Sequence, residues 1–164
     1  MSNKLKKINK KIKYNTITGI KAKFTNVLMQ KGKKTVSEKI VLNTTKFFLK
    51  NNSTKQVNFV DLVKSSLVNV SPCVNVILVR RGRKKVPMPY FLKKDLRLHF
   101  AVRLLTKISR QGSEHSIKKN LLKELQETSS VNSKSLASNK CLLAKKQLYQ
   151  LAQINKSFTH YRWF

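Results

Sequence analysis

The sequence predicts a mainly α protein: a six-helix domain with one protruding two-stranded β-hairpin and a basic N-terminal arm. Three observations predict it. Apolar residues recur at helical spacing in six stretches. One run, Val74 to Val79, is instead made of β-favouring residues. The first 23 residues carry eight lysines and no acid. Gly32, Gly82 and Gly112, three of the four glycines, fall at joints between these pieces, so the local signals agree with the element order.

Each element has its own signal. Residues 1–23 form an uncompensated basic arm, which alone is disordered. Residues 24–164 form one helical domain. Phe24, Val27 and Leu28 define a first helix from Lys21 to Gln30, ended by Gly32. A second runs from Val36 to about Lys50, with Thr35 and Glu38 as a capping box. Its apolar stripe is Val36, Ile40, Val41, Thr44, Phe47 and Phe48. A third spans Lys55 to Val68, with Thr54 as cap and Phe59, Leu62, Val63 and Leu67 inward. The hairpin follows at about 74–89, bracketed by Pro72, Pro87 and Pro89. Its tip is Arg80-Arg81-Gly82-Arg83-Lys84-Lys85, with Gly82 supplying the turn. Five cations in six residues predict that this tip projects rather than packs.

A fourth helix runs from Leu92 to Arg110, with Leu96, Phe100, Leu104, Leu105 and Ile108 on its stripe. Gly112 ends it, and Ser113 caps a fifth helix that places Glu114 in its first turn. Ile117, Leu121, Leu122 and Leu125 are the apolar positions there, and the helix ends near Glu127. The Ser-rich stretch Thr128 to Asn139 reads as a loop. The sixth helix, from about Ser138 to Phe158, lines up Cys141, Ala144, Leu148, Leu151 and Ala152.

Charge bounds the function. Thirty-six Lys and Arg face six Asp and Glu, a formal net charge of +30 on 164 residues. No fold needs that excess, because like charges repel. A polynucleotide explains it, since each neutralised phosphate releases a condensed counterion. A membrane surface is the rival, but it favours one basic amphipathic helix or a lipid anchor. Here cations run from Lys4 to Arg162. No membrane partner is expected: there is no run of about 18 apolar residues, and Met1 to Lys13 lacks the apolar stretch of a secretory signal.

The residues offer no catalytic or cofactor site. The six acids form no spaced pair suited to acid–base work, and no phosphate-loop, nucleophile-elbow or zinc-protease motif occurs. Cys73 and Cys141 lie 68 positions apart, and the three histidines are scattered. A zinc site is therefore not expected. Two reduced cysteines are the simpler reading, with Cys141 on a buried helix face and a disulfide left open. No cofactor, metal or catalytic residue is predicted. The phenylalanines on helical stripes, Phe24, Phe47, Phe48, Phe59 and Phe100, read as core. The closing His160, Tyr161 and Trp163 read either as RNA or protein contacts or as folded back onto the domain.

Those closing residues also carry a resemblance. Asn155-Lys156-Ser157-Phe158-Thr159-His160-Tyr161-Arg162-Trp163 resembles the N-K-x-F-x-H-Y-R-W ending of the seventh protein of the small ribosomal subunit, in its bacterial and organellar form. Phe24 through Val41, with Leu28-Met29, Gly32-Lys33-Lys34 and Glu38-Lys39-Ile40-Val41, resembles that family's first helix, G-K-K turn and second helix. Val86-Pro87 and then Ala101, Arg103 and Leu105 match its V-P bend and A-x-R-x-L pattern. The three blocks stand in order over roughly residues 20 to 164.

The resemblance implies six helices with a β-ribbon before the fourth. It implies a structural constituent of the small subunit that binds the 3′ major domain of its rRNA first and nucleates the head. It places the hairpin near the exit-site tRNA and mRNA path, with the ninth and eleventh small-subunit proteins as neighbours. The expected RNA-binding residues are Lys4, Lys6, Lys7, Lys10, Lys11 and Lys13 of the arm; Lys31, Lys33 and Lys34 of the first turn; Arg80, Arg81, Arg83, Lys84 and Lys85 of the hairpin; Arg97, Arg103, Lys107 and Arg110 of the fourth helix; and Lys156 and Arg162 near the end. Two departures stand out. The family's V-G-G-A-T-Y-Q-V-P tip is here Val79 to Pro87, V-R-R-G-R-K-K-V-P, which predicts tighter phosphate contact. The charged stretch before the last helix is replaced by the Ser-rich Thr128 to Asn139. Lys outnumbers Arg 29 to 7, although Arg suits phosphate better, so an AT-biased genome is implied. A mitochondrial ribosome is the expected location, with a plastid or bacterial cytoplasm as alternatives. A free-standing nucleic-acid packaging protein or RNA chaperone is the rival function.

Overall fold

The computed structural model describes residues 17–51, 58–130 and 139–161. Its elements are α1 (Ile17–Leu28), α2 (Lys34–Asn51), α3 (Phe59–Val70), β1 (Val74–Arg81), β2 (Lys84–Phe91), α4 (Lys94–Arg110), α5 (Ile117–Ser129), α6 (Lys140–Ile154) and a closing 3-10 turn (Lys156–Tyr161). The mainly α class and the single ribbon are as expected. The first helix starts at Ile17, inside the stretch read as the arm. Thr54 and Lys55, read as the start of the third helix, lie outside the described residues, as does Ser138 before the sixth.

The core is assembled around α5, which packs against α2, α3 and α4, while α1 lies across α2 and α4. Phe24, Leu28, Val41, Phe48, Leu62, Val63, Leu67, Leu105, Leu121, Leu122 and Leu125 are buried together. Phe48 and Phe59 meet at 5.4 Å between ring centroids, tilted by 57°, a favoured aromatic geometry. Buried hydroxyls close back onto their own helices: Thr44 Oγ1 donates to Ile40 O at 2.8 Å, Ser66 Oγ to Val63 O at 2.8 Å and Ser109 Oγ to Leu105 O at 2.7 Å. That satisfies each group, so burial carries no desolvation penalty for an unpaired donor.

The fourth-helix stripe is rotated from expectation. Leu96 is exposed, and Phe100 and Leu104 are half-buried. The buried positions are Ala101, Val102, Leu105, Thr106, Ile108 and Ser109. A strict four-residue repeat drifts about 40° per step around a 3.6-residue helix, so it cannot stay on one face. Steps of four and then three, as from Ala101 to Leu105 to Ile108, do stay. The same drift leaves Val36 of α2 exposed, and Leu151 of α6 is exposed as well.

Several caps also move. α2 begins at Lys34, before Thr35, because Lys31 (φ 51°) and Gly32 (φ 73°) reverse the chain within two residues. Thr35 is therefore inside the helix, and Glu38 faces Lys34 at 3.9 Å rather than closing a capping box. Ser116, not Ser113, precedes α5. Glu114 is in the loop before it, paired with Lys119 at 3.5 Å. Gly112 is needed for closeness: a Cβ there would lie 2.4–2.7 Å from the Asn120 side chain. Asn139, read as loop, is the buried cap of α6, its Oδ1 accepting from Cys141 N at 2.8 Å and Leu142 N at 3.2 Å.

The hairpin is an antiparallel ladder from Val74↔Phe91 to Arg81↔Lys84, so Arg80, Arg81, Lys84 and Lys85 are strand residues and only Gly82 and Arg83 turn. Gly82 has φ 57°, as a two-residue turn requires. Met88 and Pro89 are buried midway along the ribbon, and β1 packs on α6. The closing turn folds back against β2, so the ribbon packs more than its charge predicted.

Candidate nucleic-acid interface

Two basic groups far apart in sequence meet between α1 and α4. Lys23, Asn26 and Val27 on α1, and His99, Arg103, Thr106, Lys107 and Arg110 on α4, with Gln111, line an open groove of about 820 Å³. His99, Arg103 and Lys107 are successive four-residue neighbours along α4, and all three reach the groove. Arg110 Nη2 donates to Leu28 O at 2.9 Å, which satisfies a carbonyl at the end of α1 and closes the groove at that end. The exposed Lys31, Lys33 and Lys34 follow directly on from Leu28. Among the described residues, no carboxylate lines the groove. Burial between the helices lowers the Lys23 pKa from its ordinary value, opposed by the charge of Asp95.

The other expected residues divide. Arg80, Arg81, Arg83, Lys84 and Lys85 are exposed around the ribbon tip, as is Lys156 on the closing turn. Arg80 Nε donates to Gly82 O at 3.2 Å, which braces the turn. Arg97 is half-buried, and its Nε donates to Leu92 O at 2.9 Å, tying α4 to the end of the ribbon. Arg97 thus has a structural bond, and it lines a second groove with Lys64 and Lys94, away from Arg103. His160 is exposed, whereas Tyr161 is half-buried against the ribbon. Lys4, Lys6, Lys7, Lys10, Lys11, Lys13, Arg162 and Trp163 lie outside the described residues.

Sequence reasoning passed over His99 and treated Lys23 as arm. The spacing of His99 to Arg103 and Lys107 was the available signal for the first. Nothing local signals that Lys23 sits opposite α4, because that depends on how the helices cross. It also missed Lys145, whose Nζ donates to Asn69 O at 2.7 Å near the end of α3; burial lowers its pKa.

The carboxylates cannot neutralise this surface. Glu38, Asp61 and Glu114 make exposed ion pairs with single lysines, and such pairs contribute little. Glu124 and Glu127 both accept from Asn139 Nδ2, at 3.4 and 3.2 Å. Among the described residues, no group of side chains could hold a metal ion, and both cysteines are free, so no disulfide links them. No described helix is long and apolar enough to cross a membrane.

Comparison with known proteins bears on what such a surface meets. The family described as ribosomal protein S7p/S5e matches residues 1–156. The chain belongs to that family. Three relatives carry the name small ribosomal subunit protein uS7. That of Borrelia turicatae is 34% identical over 167 residues, covering 99% of this chain and all of the relative. That of Stenotrophomonas maltophilia is 32% identical over 142 residues, 87% of this chain and 85% of the relative. That of Xylella fastidiosa (strain M12) is 34% identical over the same shares. All three are bacterial. At the ribbon tip of this chain, four exposed strand cations flank Gly82 and Arg83.

Proposed function

We propose that the protein is a structural constituent of the small ribosomal subunit that binds the 3′ major domain of its rRNA and nucleates head assembly. The observation that carries this is the carboxylate-free groove between α1 and α4, continuous in sequence with the Lys31–Lys34 turn. A rigid basic surface fits structured RNA, which is recognised mainly through shape and backbone. Family membership and the relatives' names support the small subunit.

In this reading the groove and turn take phosphates around an rRNA junction. The ribbon tip takes a second stretch near the exit-site tRNA and mRNA path, and the lysines that precede α1, Lys4 to Lys13, meet RNA as well. Holding one junction geometry favours the next protein to bind, a positive coupling; the ninth and eleventh small-subunit proteins are the proposed neighbours. The Lys-over-Arg bias supports an organellar ribosome, mitochondrial first.

The test is a titration against the 3′ major domain with an unrelated structured RNA as competitor, at two salt concentrations. Selective binding that survives the higher salt is expected. Equal, salt-labile binding to both RNAs would sink the reading and leave a packaging protein.

A further inference from the structure

The closing turn lies against β2. Among the described residues, three groups surround the ring of Tyr161. Arg81 Cζ lies 4.4 Å from the ring centroid. Phe158 stacks at 6.0 Å with the planes 15° apart, and His160 lies at 4.1 Å, tilted by 50°. The ring is half-buried while Arg81 and His160 are exposed. The turn is itself anchored: Asn155, buried, donates from Nδ2 to Leu151 O at 2.8 Å, and Phe158 N donates to Asn155 O at 3.0 Å. A rigid path thus runs from α6 through the turn to the far end of the ribbon.

We propose that this turn is a brace for the ribbon, with Tyr161 a positioning residue that fixes Arg81 and so the direction in which the tip cations meet phosphate. The physics favours this. A lone two-stranded ribbon is marginal in water, and its last pair, Arg81↔Lys84, sets two cations side by side. Such like-charged neighbours splay the tip. The negative face of the Tyr161 ring attracts the guanidinium and holds it in one rotamer. A phosphate arriving at the tip then orders less side chain on binding.

The positioning role rests on the RNA reading above; the brace itself does not. The experiment therefore has two readouts on the full chain: amide exchange along residues 74–91, and affinity for the 3′ major domain RNA. Tyr161→Phe keeps the ring and should match the wild type in both. Tyr161→Leu should speed exchange at Arg81 and Lys84, and weaken RNA binding about two- to tenfold, the range open to a partly exposed cation–π contact. Arg81→Met removes the cation while keeping its stem, so it tests the same contact from the strand side. In that background Tyr161→Leu should have no further effect. Unchanged exchange in Tyr161→Leu, or additive effects of the two substitutions, overturns the brace. Faster exchange with unchanged RNA affinity keeps the brace and overturns the positioning role. If the wild type binds RNA without selectivity, the rRNA reading falls, and exchange alone still decides the brace.

Discussion

Cys141 is wholly buried, its Sγ 3.4 Å from Glu124 Oε2, while Cys73 is exposed. Burial pushes the Cys141 thiol pKa well up, and the charges of Glu124 and Glu127 add to it. The thiolate is the reactive form, so a thiol reagent should label Cys73 quickly and Cys141 only on unfolding; two fast thiols would contradict this. The sign of the pH effect follows from the raised folded value. The contribution is full below the ordinary thiol pKa of 9.0 and is lost as pH rises beyond it. Chemical denaturation at pH 8 and pH 10 should show lower stability at pH 10, with the difference shrinking in Cys141→Ala. Gly112 makes a second prediction. Any Cβ there would collide with Asn120, whose Oδ1 and Nδ2 hold the backbone of Glu114. Gly112→Ala should cost about 1–3 kcal/mol by overpacking, and a thermal melt reads it. In the sequence Gly112 was legible as a joint, but not as a contact, since Asn120 is brought against it only by the loop before α5.

At the scale of elements, the helices were legible because each apolar stripe repeats locally. Thr35, Ser113 and Asn139 were misread because a cap depends on the entering backbone, which in α2 is set by Lys31 and Gly32. The rotated stripe of α4 changes an energetic expectation. Phe100 is half-buried, edge-on to His99 at 6.3 Å, so Phe100→Ala should cost less than the roughly 3–5 kcal/mol of a core aromatic. Phe48→Ala, at the full core position, should cost that range. Met88 anchors the middle of the ribbon at 0% exposure. Met88→Ala should cost about 2–5 kcal/mol and raise amide exchange along β2 before the helices are affected.

For the whole molecule, charge is the property that faces outward. Replacing Arg80, Arg81, Arg83, Lys84 and Lys85 with Ala should weaken RNA binding while leaving the melting transition near that of the wild type. The salt slope should fall by about 0.7–0.9 for each phosphate no longer neutralised, and an unchanged slope would remove the tip from the interface. Arg103→Ala with Lys107→Ala makes the corresponding test of the groove. The sequence by itself determined the helical class, the ribbon and its turn, the basic excess and the family, because periodicity, turn chemistry, composition and ordered motifs are all local or additive. The tertiary structure alone decided that Lys23 faces Arg103 and Lys107 across one groove, that Arg110 is tied to Leu28, and that Tyr161 lies under Arg81. Those pairings come from helix crossings and chain reversal, where residues distant in sequence are brought together by burial of a shared core rather than by any signal of their own.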